Sequence, residues 1–217
     1  MTSNSLNKRN ASTVVVLDFE TTGLSPDMGD RAIEIGAVLL ENGKITDRFQ
    51  KLMNPDRRIN SFIENYTGIS NAMIKSADSC ASVMKEFGQF IEGHNLVAHN
   101  ASFDKKFLDA ELLLADSNYR GSFACSMLIA RRLYQDAPNH KLGTLVRYKN
   151  LPTEGVFHRA LADAEMTAHL WLEMLNDLNN SHQLDHIPFS LMNTLSRTPK
   201  HSVDRLLTKH KSAQPIH

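Results

Sequence analysis

Hydrophobic and polar positions alternate in recognisable blocks along the chain. Thr13–Phe19, in "TVVVLDF", is β-branched, short and apolar, and predicts a buried strand. "RAIEIGAVLL" and "KITDRFQKLM" flank "ENGK", where Asn42-Gly43 is a strong two-residue hairpin signal. Three antiparallel strands are therefore expected to open the fold. "INSFIENYTGIS" and "SADSCASVMKEFGQFIEG" read as short helices that turn at their glycines. "NLVAH" is a short strand that runs into a helix, "NASFDKKFLDAELLLA", with Phe103, Phe107, Ala110 and Leu114 predicted on one face. "FACSM" predicts another strand leading into "LIARRLYQ", and "HKLGTLVRYKN" a short helix. "LADAEMTAHLWLEMLNDL" is the clearest helix, with Ala164, Ala168, Trp171, Leu175 and Leu178 along one side.

Antiparallel strands followed by alternating strands and helices imply an α/β fold, a mixed sheet with helices packed on it. Residues 13–180 are read as the folded domain. Residues 1–12 are polar and are expected to be a flexible leader. After Asn180 the periodicity fades, and residues 181–217 are expected to be a C-terminal tail of unassigned role, although they hold five of the ten histidines.

The chain has 217 residues, 41% of them apolar and 22% charged, ordinary for a globular protein. Lys+Arg and Asp+Glu both number 24, so net charge names no partner. The distribution is uneven: from Ser181 onward five Lys/Arg stand against Asp185 and Asp204, a net of +3 that leaves −3 elsewhere. An acidic body that binds nucleic acid needs cations at its site or a basic surface elsewhere. Cys80 and Cys125 form no CxxC pair and no disulfide framework, which fits a reducing cytoplasm. No apolar stretch is long enough to span a membrane, and the start has no signal-peptide pattern.

The chemistry lies in three segments. In "LDFETTGL", Asp18 and Glu20 are two apart on a strand and so share a face. Two carboxylates on one face repel unless a cation lies between them, and such oxygen-rich sites suit Mg²⁺ or Mn²⁺. In "LVAHNASFDKKF", Asp104 sits in the first turn of a helix. In "FHRALADAEM", His158 precedes Asp163 by five residues at the start of the clearest helix. Histidine accepts a proton near neutral pH. Taken singly, each acid also reads as a helix cap or surface charge, and Phe103 as a core residue. Their common placement at strand ends and helix starts favours one shared site.

These motifs resemble the DnaQ-like, or DEDDh, 3′→5′ exonucleases, a family that includes the proofreading epsilon subunit of bacterial DNA polymerase III. The resemblance runs from about Val14 to Leu178 and takes in "YTGIS" and "IARRLY". It implies a ribonuclease H-like, mixed five-stranded sheet with flanking helices. It also implies two Mg²⁺ (or Mn²⁺) ions held by Asp18, Glu20, Asp104 and Asp163, with Asp18 bridging both and His158 as general base. Thr21 and Thr22 would lie near the 3′-terminal nucleotide, Leu24 and Phe103 would pack against bases, and Asn100 would orient the strand. The implied substrate is the 3′ end of single-stranded DNA, cleaved to nucleoside 5′-monophosphates. The resemblance is compatible with a DNA polymerase complex as partner and with a stand-alone enzyme, and the implied setting is cytoplasmic proofreading or repair. An exoribonuclease and a non-catalytic polymerase accessory module are the alternatives. Cys125-Ser126 stands where the family often has Asp-Thr, outside the metal set.

Overall fold

The structure is a computed structural model that describes residues 3–152 and 159–212. The chain starts with a short helix, α1 (Ser3–Asn7), and then enters β1 (Val14–Thr21), β2 (Ala32–Glu41) and β3 (Lys44–Leu52). Three helices follow: α2 (Ser61–Thr67), α3 (Asn71–Lys75) and α4 (Cys80–Phe90). Next come β4 (Leu96–Ala98), α5 (Ser102–Leu114), β5 (Phe123–Cys125), α6 (Ser126–Leu133) and α7 (Leu142–Tyr148). The last helices are α8 (Ala160–His182), α9 (Phe189–Arg197) and α10 (Val203–Ser212). Among the described residues no helix is long and apolar enough to cross a membrane.

The strands form one five-stranded sheet in the order β3-β2-β1-β4-β5. β1 pairs antiparallel with β2 and parallel with β4, so the sheet is mixed, as the alternation of elements implied. The β2–β3 hairpin turns at Asn42 (φ 51°) and Gly43 (φ 79°), the two left-handed residues that a tight hairpin needs. β1 is central and buried on both faces. Val14 and Val16 pack into a cluster with Trp171 and Met174 of α8, while Val15, Leu17 and Phe19 pack against Phe87 of α4 and Phe107 of α5. β3 is one of the two edge strands, and its charged residues Lys44, Asp47, Arg48 and Lys51 blunt it against further pairing.

Four expectations are corrected. The segment read as a flexible leader packs: Leu6 and Ala11 are buried, and the Asn95 side chain donates to the Leu6 carbonyl at 2.8 Å. The Trp171 indole N–H donates to the Ala11 carbonyl at 2.8 Å, tying this segment to α8. The segment read as a tail forms α9 and α10, whose Phe189, Leu191, Met192, Leu195 and Leu207 complete the cluster on the α8 face. Its apolar residues are few, but they fall on one side of two short helices, enough to cover a surface that β1 and α8 leave open. The buried stripe of α5 consists of Asp104, Phe107, Leu108, Glu111 and Leu112, and Leu114 is 61% exposed. Two buried acids displaced the predicted stripe, because periodicity scores only apolar positions. The predicted strand "FACSM" also ends early: Ser126 is already the first residue of α6.

Candidate active site

The site lies at the exit of β1, where the chain leaves the sheet. Asp18 and Glu20 point to the α8 side of β1, and Phe19 to the other. Asp18 pairs with Gly36 across the β1–β2 ladder. A Cβ at Gly36 would come within 2.0 Å of the Leu161 amide nitrogen, so the absent side chain lets the first turn of α8 rest on β2. That contact delivers Asp163. One carboxylate oxygen from each of Asp18, Glu20 and Asp163 lies within 4.8 Å of the others.

Asp104 arrives from the opposite layer. It is 2% exposed, and its Oδ1 accepts from the Phe19 amide at 3.2 Å. It stands beside the three-oxygen group rather than in it. The turn before it uses Asn100, at φ 66°, a left-handed conformation that asparagine tolerates. Behind that turn the His99 ring donates from Nε2 to the His140 carbonyl at 2.9 Å, with the Ser126 hydroxyl 2.9 Å from Nδ1. Burial lowers the His99 pKa to about 4, so the ring is neutral and its role is to brace.

The carboxylates are electrostatically frustrated. Burial, reinforced by Asp163, Glu34 and Asp104, pushes Glu20 up to about 8. Burial likewise raises Asp104 to about 7, against the lowering effect of the Phe19 and Asp104 backbone amides. Asp18 is raised well above the usual carboxylate range by burial and then by Asp104, Asp163, Glu20 and Glu34. Among the described residues, neither Asp18 nor Glu20 forms an ion pair with Lys or Arg. Buried like charges with only oxygen donors make a set that fits a hard divalent cation such as Mg²⁺ or Mn²⁺.

The remaining expected residues divide. Leu24 is 82% exposed at the tip of the loop after β1. The Thr21 hydroxyl donates to the Gly23 carbonyl at 2.6 Å, and the Thr22 hydroxyl donates to Asp30 and accepts from the Arg31 amide, so both hydroxyls build that loop. Asn100 is exposed, and Phe103 is half-buried against Phe107 with ring centroids 5.1 Å apart. Lys105 is engaged by Asp109 one turn away, which makes it a helix-surface cation. His158 lies outside the described residues.

Two features of the site had no role in the sequence reading. Burial, and then the charges of Glu20, Asp163 and Asp18, push the Tyr66 phenol above its ordinary pKa, so the ring lies within electrostatic range of the acids. Its ring stacks on Phe62, with centroids 5.9 Å apart and planes 11° apart, and both rings are exposed. The second is Glu34, fully buried and opposite Glu20 in the ladder. A lone acid inside the apolar run "AIEIGAV" was the signal that could have found it.

The sheet order defines a ribonuclease H-like fold, with the acids at the exit of its central strand. A family profile described as Exonuclease, of the RNase T type, matches residues 15–171. The PolC-type DNA polymerase III of Caldanaerobacter subterraneus subsp. tengcongensis is 40% identical over 164 residues, covering 76% of this chain and 12% of that protein. The 3′-5′ exonuclease DinG of Bacillus subtilis is 37% identical over 196 residues, covering 88% of this chain and 20% of that protein. The chain thus spans only 12–20% of these two relatives. Exonuclease X, solved in complex with 5′-overhanging duplex DNA, superposes with a TM-score of 0.66 at 26% identity, over 84% of this chain and 99% of that one. The nuclease domain of 3′hExo, a DEDDh family member bound to rAMP, superposes with a TM-score of 0.66 over 76% of this chain and 92% of that one. At 22% identity that likeness speaks to the fold alone. The chain belongs to the DnaQ-like, DEDDh-type exonuclease family.

Proposed function

We propose that this chain is a metal-dependent 3′→5′ exonuclease that releases nucleoside 5′-monophosphates from single-stranded DNA ends. The observation that carries this reading is the group of Asp18, Glu20 and Asp163 oxygens within 4.8 Å of one another, with buried Asp104 beside them. Asp18, Glu20 and Asp163 would hold one divalent ion, and Asp104 beside them would help to hold a second. Bound there, such ions neutralise charge on the attacking and leaving oxygens of an in-line displacement.

The residues of the chain do the rest. Tyr66, within range of the acids' charge, and Leu24, on the loop after β1, offer exposed apolar surface on which a terminal base would stack, and stacking of this kind tolerates any base. Phe103, in the first turn of α5, and Asn100, in the turn before it, would complete the surface that takes the strand end. A water attacks the terminal phosphodiester, and His158 accepts its proton at a ring nitrogen. The new P–O bond forms as the bond to the 3′ oxygen of the penultimate nucleotide breaks. DNA is favoured over RNA because the relatives include DNA polymerase III proteins and a neighbour solved with duplex DNA. Proofreading or repair beside a DNA polymerase, in the cytoplasm, is the setting that fits those relatives.

A 5′-labelled DNA oligomer and its RNA counterpart, digested with Mg²⁺ or Mn²⁺ and again with EDTA, test the reading. Stepwise shortening of the DNA from its 3′ end, stopped by EDTA and by Asp18→Ala, is expected. Faster loss of the RNA oligomer would overturn the DNA assignment. A chain inert on both oligomers with every metal would leave the accessory-module alternative in front.

A further inference from the structure

Strand β2 supplies none of the four ligand carboxylates, yet Glu34 within it and Arg31 just before it grip the helices that supply two of them. Glu34 accepts from Arg159 Nε at 3.1 Å and Nη2 at 2.7 Å, and from Gln50 Nε2 at 3.0 Å. It also accepts from the Ala160 amide at 3.1 Å. That amide is one of the donors that the start of a helix leaves unsatisfied, so the sheet itself caps α8. Arg159 is the residue before α8, one turn ahead of Asp163 and next in the chain to His158.

Immediately before the same strand, Arg31 reaches Glu111 of α5 through Nε and Nη2, both at 2.8 Å. Glu111 Oε1 takes the Ala32 amide as well, at 3.0 Å. Glu111 is 1% exposed and lies two turns after Asp104 on the buried face of α5. Both pairs are bidentate. The planar fork of arginine fixes direction as well as distance, and a lysine at either place would not.

From this arrangement, and resting on the exonuclease reading of the site, we propose that β2 is an alignment strand. The Glu34–Arg159 pair positions Asp163, and the Arg31–Glu111 pair positions Asp104. The four residues are positioning residues for the metal-binding carboxylates. Gly36 makes the coupling stiff on the α8 side: with no clearance between β2 and Leu161, a change at Glu34 shifts the first turn of α8 instead of being absorbed. Asp163 belongs to the three-oxygen group and Asp104 does not, so the two pairs act on different parts of the site.

The test is Mn²⁺ binding to the full chain by calorimetry, with amide hydrogen exchange of the metal-free protein as a second readout. Arg159→Met is expected to weaken the first Mn²⁺ at least tenfold and to lower protection at Ala160–Asp163, with α5 protection unchanged. Arg159→Lys is expected to restore less than half of that loss. Glu111→Gln is expected to leave the first Mn²⁺ within about threefold and to weaken or abolish the second. Arg159→Met with parental Mn²⁺ affinity overturns the proposal, and so does an equal loss of both ions in Arg159→Met and Glu111→Gln. Arg159 is partly exposed, so its variants keep the test open if Glu111→Gln does not fold. A parent chain that binds no Mn²⁺ overturns the exonuclease reading together with the alignment. A parent that binds, with variants that bind equally, overturns the alignment alone.

Discussion

Removing the divalent cation should make the stability of this protein fall as pH rises through neutrality. Glu20 has a pKa raised from 4.5 to about 8 in the folded chain. A carboxyl group raised in this way holds a proton in the folded state that the unfolded chain has already lost. The folded state then binds more protons, and unfolding free energy declines with pH between the two values. His99 works in the opposite sense. Its folded value of about 4 lies below the unfolded 6.5, so its contribution is complete above pH 6.5 and is lost as pH drops toward 4. The clean window is therefore pH 6.5 to 8, where His99 is silent. Over those 1.5 units Glu20 alone removes about 2 kcal/mol, at ~1.4 kcal/mol per proton per pH unit. Asp104, raised to about 7, and Asp18 act in the same direction. Their effects do not add, because each is part of the cause of another's shift. For a chain of this size about 2 kcal/mol corresponds to a fall in Tm of roughly 4–8 °C. Thermal melts of EDTA-stripped protein at pH 6.5, 7, 7.5 and 8, at fixed ionic strength, measure it. Millimolar Mg²⁺ or Mn²⁺ should reverse the loss at pH 8, and Glu20→Gln should flatten the metal-free profile. A metal-free Tm that is level or rises across the window would refute the electrostatic account, as would a Glu20→Gln profile as steep as the parent's.

Three further outcomes are expected. Gly36→Ala should cost on the order of 2–3 kcal/mol in urea unfolding and weaken Mn²⁺ binding, since its methyl would meet the Leu161 backbone at 2.0 Å; a change under about 0.5 kcal/mol would contradict the close-contact reading. Ending the chain at Asn180 should abolish cooperative unfolding, because it strips Leu184, Phe189, Met192 and Leu195 from the cluster around Trp171; circular-dichroism melts decide this, and a truncated chain that melts as sharply as the parent would show the last helices to be dispensable. Tyr66→Ala should raise KM for a DNA oligomer several-fold with a smaller change in kcat, because the ring lies within electrostatic range of the acids and outside the ligand set; a fall in kcat at constant KM would give Tyr66 a different role.

Local pattern was enough for some elements. Asn42-Gly43 dictates a turn with two left-handed residues, and the turn is there. Apolar spacing in α8 marks the face that is buried, from Ala164 to Leu178. The two-residue spacing of Asp18 and Glu20 puts both on one side of β1 whatever the rest of the chain does. Their convergence with Asp163 was legible from a shared habit of sitting at element ends and from the family resemblance, not from the spacing within any one element. Tertiary structure decided what depends on distant partners. Glu34 meets Arg159 across 125 residues, and Arg31 meets Glu111 across 80. No periodicity reports such a pair, because each member looks locally like an ordinary charge. The same limit hid the stripe of α5, whose buried positions include acids, and the packing of the first and last segments. Their few apolar residues have meaning only against the surface that β1 and α8 present. Sequence alone set which residues share a face of each element; the fold decided which faces meet, because burial is a property of the pair and not of either partner.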